Sequence, residues 1–211
     1  VSLVTNALLL TPELSHGLIA AGLDGITFSL DAPTPELAER VRAGTVLHRA
    51  IANIEAFNAI AKNGRPVAQA VFSAVSTTTL PSLEELVRTV AGLGVDVLML
   101  SDLNFKANLR QTLWRNPGEE VATAVRNAIL TAFALGLPVL SVRGLEALGL
   151  PRRYQEHLLV PPAQLYTRSA LRTHCCSPWQ TLAVGVDGAL TLCDCQPEKG
   201  VGNLLEQPLG T

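Results

Sequence analysis

Short apolar runs and longer stretches with helical spacing alternate over the first two thirds of the chain. The apolar runs predict strands at residues 1–5, 25–31, 67–75, 95–101 and 138–142. Between these runs, apolar residues recur at every third or fourth position, which is the spacing of an amphipathic helix. Strands that alternate with helices in this way predict an α/β fold with a parallel sheet and helical crossover connections.

Capping residues mark where several of these helices begin. Thr11 and Thr34 each precede a proline, which predicts an N-cap threonine followed by proline at the first helical position. A longer helix is expected over residues 45–62. Ser82 and Glu85 have the spacing of a capping box and predict the start of another helix there.

Polar residues recur along two of the predicted strands. Thr27, Ser29 and Asp31 alternate with apolar residues in the second strand, and Gln69 and Ser73 do so in the third. Alternate side chains of a strand point to the same face of the sheet. We expect these polar side chains to line one face, which suits a parallel barrel that encloses a ligand site. An open doubly wound sheet is the alternative.

A cluster of thiols lies near the C-terminal end of the chain. The protein has four cysteines, and they are Cys175, Cys176, Cys193 and Cys195. Asp187-Gly188 lies between the two pairs within apolar sequence, and it predicts a β-hairpin that folds one pair back towards the other. Clustered thiolates suit zinc, copper(I) or an iron–sulfur cluster, with His174 as a further candidate ligand.

Three other interpretations of the thiols compete with a metal site. A disulfide is disfavoured because the rest of the chain resembles a cytosolic protein, in which thiols are kept reduced. Inert buried thiols are a second alternative, but four cysteines confined to one short stretch argue against it. Redox chemistry is the third.

Composition narrows the class of partner. Hydrophobic residues make up 48% of the chain, the net charge is −2, and no block of basic residues occurs, which argues against nucleic acid as a partner. No apolar run approaches the roughly 20 residues of a membrane span, so we expect a cytoplasmic protein without a membrane partner. No dinucleotide fingerprint or Walker loop is present.

The chain begins with Val1 inside an apparent strand, which predicts an N-terminally truncated fragment.

The regular alternation fades beyond Val142. The sequence therefore predicts a partial TIM-like (β/α) barrel over 1–145 and a connector over 146–172. A small module over 173–211 would contain the cysteine hairpin.

Two regions of the chain resemble the radical S-adenosylmethionine (SAM) enzymes that carry a C-terminal SPASM or twitch extension. Thr5-Asn6 and the segment Ser29-Leu30-Asp31 are similar to the ends of the third and fourth barrel strands of that family, with Ala7 and Ala32 where glycine is usual. The second region resembles the first half of a SPASM module through Cys175, Pro178-Trp179, Asp187-Gly188, Cys193 and Gly202-Asn203-Leu204.

The resemblance implies a radical SAM enzyme with SAM and a [4Fe–4S] cluster as cofactors. In that family, one electron from the cluster cleaves SAM reductively, and the resulting radical abstracts hydrogen from the substrate. The substrate would be a peptide or a small molecule, and an electron donor protein is implied as a partner. The Cys-x-x-x-Cys-x-x-Cys loop that holds the catalytic cluster is absent from this sequence. We expect it upstream of Val1, so the chain alone should be inactive and contain no catalytic residue.

The resemblance also implies which residues contact SAM. Ser29 and Asp31 would lie near the ribose or methionine part of SAM, with Asn6 beside them. Ser73 would face the same cavity, and Ser101 would lie near the adenine. The alternative for Ser29 and Asp31 is a strand-end turn with side-chain bonds to nearby backbone. For Asn6 and Ser73 a structural role is the favoured alternative.

In the C-terminal module, the resemblance implies that Cys193 and either Cys175 or Cys176 bind an auxiliary iron–sulfur cluster, with Cys195 as a further candidate. A second hypothesis needs no SAM. In it the chain is a non-catalytic α/β scaffold or binding protein that holds zinc through His174 and three of the cysteines.

Overall fold

The computed structural model describes residues 1–102, 113, 118–143, 183–185, 187–191 and 200–206. The chain divides into two compact units, Val1–Pro161 and Pro162–Thr211. The division falls inside the connector expected over 146–172, and the domain limits given above stay predictions.

The first unit alternates strands and helices, as the hydrophobic pattern predicts. Its strands are β1 (Ser2–Thr5), β2 (Gly25–Ser29), β3 (Ala68–Val75), β4 (Val97–Asp102) and β5 (Val139–Arg143). Its helices are α1 (Pro12–Ala20), α2 (Pro35–Val41), α3 (Leu47–Lys62), α4 (Leu83–Leu93) and α5 (Glu119–Ala134). Among the described residues, no helix is both long and apolar enough to cross a membrane.

The five strands of the first unit form one parallel sheet in the order in which they follow along the chain. Crossovers between parallel strands are right-handed, so a sequential order keeps the connecting helices on one face of the sheet. A doubly wound sheet needs a reversal of strand order, and these five strands contain none. The sheet is therefore compatible with an arc of a (β/α) barrel. Among the described strands, β1 and β5 do not pair, so these five strands do not form a closed barrel.

Apolar side chains fill the space between the sheet and the helices. Phe28, Val71 and Leu98 are adjacent in the strand register and fully buried. The ring of Phe28 meets that of Phe57 in α3 edge to face, with centroids 5.9 Å apart. We call this side of the sheet the helix face. We call the other side the open face; it carries Val4, Thr27, Ser29, Phe72 and Met99, none of which is fully buried.

The threonine caps are confirmed and the capping box is wrong. The Thr11 hydroxyl accepts a hydrogen bond from the Leu14 N–H at 3.3 Å, and Thr34 accepts one from Leu37 at 3.4 Å. Ser82 makes no side-chain cap bond, because a 3₁₀ turn over Leu80–Ser82 runs directly into α4. The backbone of Ser82 is therefore not in the extended conformation that an N-cap residue needs.

The second unit contains a small antiparallel sheet of β6 (Ala183–Val184), β7 (Ala189–Thr191) and β8 (Gly200–Asn203). β6 and β7 pair antiparallel, and Gly188, in the turn between them, adopts a φ of +79°. The Asn203 side-chain amide donates to the Asp187 carbonyl at 3.1 Å, and the Leu204 N–H donates to the Gly188 carbonyl at 2.9 Å. A Cβ added at Gly188 would lie 2.6 Å from the Asn203 Oδ1, so this turn needs glycine.

Candidate functional site at the carboxyl ends of the strands

Ser29 and Ser101 lie on the open face of the sheet, near the carboxyl ends of β2 and β4. Ser29 pairs in register with Phe72, and Ser101 pairs with Ala74, so all four side chains share that face. Ser29 is half-buried, and its hydroxyl makes no hydrogen bond with the described residues. Ser101 is 5% exposed. The carboxyl ends of parallel strands are where barrels and open α/β sheets place their ligands.

Ser73 does not share this face, and its expected place beside Ser29 is wrong. Because Ser29 pairs with Phe72, the next residue, Ser73, points to the helix face and pairs with the buried Leu100. Ser73 is 1% exposed, and its hydroxyl oxygen has no hydrogen-bond partner in the described part of the chain. Gln69 lies on the helix face for the same reason.

Asn6 follows β1 in a tight turn and is exposed. The Asn6 side-chain oxygen accepts from the Leu8 N–H at 3.2 Å, and the Asn53 side chain in α3 donates to the Ala7 carbonyl at 2.7 Å. Ala7 itself is fully buried with a φ of +61°, a backbone conformation that favours glycine. Ala7 thus adopts a backbone conformation that few residues other than glycine adopt readily.

Asp31 connects three segments at the carboxyl end of the sheet. The Asp31 Oδ1 accepts from the Ala74 N–H of β3 at 2.9 Å. The Asp31 Oδ2 accepts from the Arg42 guanidinium, from Nε at 3.1 Å and from Nη2 at 2.6 Å. Both carboxylate oxygens thus have protein partners, as the strand-end alternative requires, although the bond to Ala74 crosses to another strand. The role of Asp31 towards SAM stays a prediction.

A hydroxyl-rich turn after β3 adjoins Asp31 and was not predicted. The Ser76 N–H donates to the Thr79 hydroxyl at 2.9 Å, and the Thr79 N–H donates to the Ser76 hydroxyl at 3.3 Å. Together with Asp31, Arg40 and Thr78, these residues line a cleft of about 190 Å³. The run of four hydroxyl residues from Ser76 to Thr79, directly after an apolar strand, was the sequence signal that could have found it.

Two carboxyl groups with a lowered pKa, Asp24 and Glu84, lie away from the carboxyl ends of the strands. The Val1 amino group and Arg65 hold the pKa of Asp24 below its usual range, near the amino ends of the strands. Hydrogen bonds from Arg88 and then Thr131 lower the pKa of Glu84 in α4. Each shift follows from a local hydrogen bond or ion pair, so the perturbed groups do not mark an acid–base pair at the open face.

The predicted metal ligands Cys175, Cys176, Cys193 and Cys195 lie outside the described residues. In the part of the chain that is described, no three histidine, cysteine, aspartate or glutamate side chains are close enough to hold a metal ion. The described hairpin over 183–191 separates the two cysteine pairs along the chain. The thiol cluster thus stays a prediction.

No family model matches this chain, and no curated protein matches it. The class that the described residues define is an α/β fold with a sequentially ordered parallel sheet. The likeness to radical SAM enzymes rests on the residue patterns quoted above.

Proposed function

We propose that the chain is part of a radical SAM enzyme, within a longer parent that carries the catalytic three-cysteine loop. The observation that supports this best is the sequential parallel sheet, which has its helices on one face and an open face on the other. In such a sheet, a ligand can bind at the carboxyl ends of the strands, on the open face. The parent would act on a peptide or a small molecule.

Some predicted SAM contacts fit this proposal better than others. The Ser29 hydroxyl is half-buried on the open face and has no described partner, so it is available to a ribose or carboxylate. The Asn6 side-chain amide is exposed beside the end of β1, and only the oxygen of that side chain has a described partner. Asp31 fits a supporting role, because its two oxygens already hold Ala74 and Arg42. Ser73 does not fit, since it lies on the helix face.

The bound cofactors supply the chemistry, through reductive cleavage of SAM at an iron–sulfur cluster. The residues of this chain bind, orient and shield. Phe72 and Met99 present apolar surface on the open face, which would help exclude water from a reactive group held there. The thiols of the C-terminal module would hold the auxiliary cluster, and their softness suits iron and sulfide.

The test uses the longer parent protein, purified and reconstituted without oxygen. We expect a brown protein that contains iron and sulfide and cleaves SAM when reduced. Ser29→Ala should weaken SAM binding about tenfold, which is the loss expected for one hydrogen bond to a charged or polar ligand group. Equilibrium dialysis with labelled SAM measures this binding.

Ser73→Ala is the matched control, because Ser73 lies in the neighbouring strand on the opposite face. We expect it to leave SAM binding unchanged. A colourless protein that contains zinc and does not bind SAM would contradict the proposal and favour the scaffold hypothesis. Equal losses in the two serine variants would remove Ser29 from the site.

A further inference from the structure

The cleft between the loop after β2 and the turn after β3 has features of a binding site of its own. The cleft measures about 190 Å³, and its polar lining comes from Asp31, Arg40, Ser76, Thr78 and Thr79. This volume is below the roughly 300–1,000 Å³ of pockets that enclose drug-sized ligands. It therefore suits a small molecule or one end of a larger one.

Among the described residues, the charges around the cleft leave Arg40 without an ion-pair partner. Asp31 is neutralised by Arg42, whose guanidinium contacts one of its oxygens. Arg40 lines the cleft and makes no ion pair with the described residues, including Glu36 one turn earlier on α2. Both Glu39 oxygens accept the Gly44 N–H, at 3.1 and 3.0 Å, which directs that carboxylate to the loop after α2.

Hydroxyl donors accompany this cation. The half-buried Thr78 lines the cleft, and its hydroxyl makes no hydrogen bond with the described part of the chain. The Ser76 and Thr79 hydroxyls lie 3.3 Å apart, and either can donate to the other. Because the Thr79 hydroxyl can also donate to the Ser76 carbonyl, at 3.4 Å, the Ser76 hydroxyl can direct its proton either to Thr79 or to a ligand.

We propose that this cleft binds a small oxyanion, a carboxylate or a phosphate, with Arg40 as its charge partner and Thr78 as a hydroxyl donor. A guanidinium presents a planar fork of N–H groups that matches either oxyanion, and hydrogen bonds between charged groups are stronger than neutral ones. The proposal rests on the geometry of the cleft, and neither SAM nor iron is needed to examine it.

The test is a titration of the ¹⁵N-labelled 211-residue chain, followed by NMR at constant ionic strength. The probes are acetate and inorganic phosphate, with neutral acetamide and chloride as controls. We expect acetate or phosphate to shift the amides of residues 74–79, and acetamide and chloride to leave them unchanged. The two oxyanion arms show whether carboxylate or phosphate is the preferred chemistry.

Variants locate the site. Arg40→Gln should weaken oxyanion binding about tenfold, and Thr78→Val should weaken it by a smaller factor, because the guanidinium contributes a full charge and several N–H donors whereas the hydroxyl contributes one neutral donor. Arg88→Gln is the matched control, since Arg88 is an exposed arginine of α4 already paired with Glu84. Equal shifts with chloride, or unchanged affinity in a folded Arg40→Gln protein, would overturn the proposal.

Discussion

Asp31 illustrates how one side chain can hold the carboxyl end of a sheet together. Its partners Arg42 and Ala74 lie 11 and 43 residues away along the chain. The Asp31 side chain is 10% exposed and that of Arg42 is 42% exposed. Within this ion pair, the Asp31 carboxylate is thus shielded from solvent, whereas the Arg42 guanidinium is partly exposed to it.

We expect Asp31→Asn to lower the free energy of unfolding by about 1–2 kcal/mol, with the partial exposure of Arg42 reducing the electrostatic share. The amide oxygen can still accept from the Ala74 N–H, so the loss reports mainly on the pair with Arg42. Urea unfolding measures it. Arg88→Gln, which breaks an exposed pair within one helix, should cost less than Asp31→Asn, because solvent screens that pair. Equal losses in the two variants would mean that Asp31 is no more than a surface partner.

Ala7 and Ala32 form a natural pair for measuring backbone strain. Both are buried, both stand where the radical SAM pattern has glycine, and only Ala7 has a positive φ. Substitution by glycine removes one buried methyl group in each case. At Ala7 it also relieves left-handed strain of about 1–2 kcal/mol.

We therefore expect Ala7→Gly to be less destabilising than Ala32→Gly by about 1–2 kcal/mol. Thermal and urea unfolding of the two variants against the parent chain give this difference. An Ala7→Gly protein that loses as much stability as Ala32→Gly would show that the turn after β1 carries no such strain.

β3 places neighbouring polar residues in opposite environments. Ser73 lies on the helix face, and its hydroxyl has no hydrogen-bond partner among the described residues, whereas Ser76, just after the strand, shares hydrogen bonds with Thr79. A buried hydroxyl without a partner carries a desolvation cost, and its removal recovers that cost.

Ser73→Ala should thus leave the free energy of unfolding unchanged or raise it by about 1 kcal/mol. Ser76→Ala should lower it by about 0.5–1 kcal/mol, because the Ser76 hydroxyl bonds both the Thr79 hydroxyl and the Thr79 N–H, although that N–H keeps the Ser76 carbonyl as an acceptor at 3.1 Å. Chemical denaturation distinguishes the two. A clear loss of stability in Ser73→Ala would instead indicate that this hydroxyl has a partner.

A titratable carboxyl group, that of Glu84, lies where α4 packs against α5. The Arg88 guanidinium donates to the Glu84 carboxylate at 2.7 Å and is the main cause of a pKa that lies below the ordinary value of 4.5, followed by the Thr131 side chain of α5. A carboxyl whose pKa is lowered by folding adds stability above that ordinary value, and the contribution is lost as the pH falls through the lowered one.

Thr131→Val should raise the pKa of Glu84 part of the way back, and Arg88→Gln should raise it further, since Arg88 is the larger cause. Carboxyl ¹³C shifts followed between pH 2 and 7 measure both. Thr89→Val is the control, because the Thr89 hydroxyl donates to the Glu85 carbonyl. If Thr131→Val left the Glu84 titration unchanged, the link between the two helices would be absent.

Over the whole molecule, the strands and helices were predictable because their signals are local. Apolar periodicity located β1 to β5, and the caps at Thr11 and Thr34 are set by neighbouring residues. The alternation within β2 and within β3 was also correct. What failed was the register between those strands, which put Ser29 and Ser73 on opposite faces.

A hydrophobic pattern specifies register where it distinguishes the two faces of a strand, and β3 carries apolar residues on both faces, so its pattern did not fix which face Ser73 shares with β2. The cleft escaped prediction for a related reason, because its lining comes from segments that are distant in sequence, from Asp31 to Thr79. The Asp31–Arg42 pair and the bond to Ala74 are likewise visible only once the sheet is assembled. The thiol hypothesis concerns residues outside the described ranges and stays a prediction.

β1 borders the sheet and pairs with β2 alone among the described strands. Its Val4 side chain is 69% exposed. Unpaired amide and carbonyl groups along such a border invite another strand to add, and natural proteins often discourage this with lysine. Val4→Lys should therefore raise the concentration at which the 211-residue chain stays monodisperse in light scattering.

Val46→Lys is the comparison, because that valine is also exposed but precedes a helix. It should have little effect on the light-scattering result. Identical behaviour of the two variants would exclude β1 as the cause. A difference between them would mean that the border which leaves the sheet free to accept a further strand also exposes the 211-residue chain to self-association.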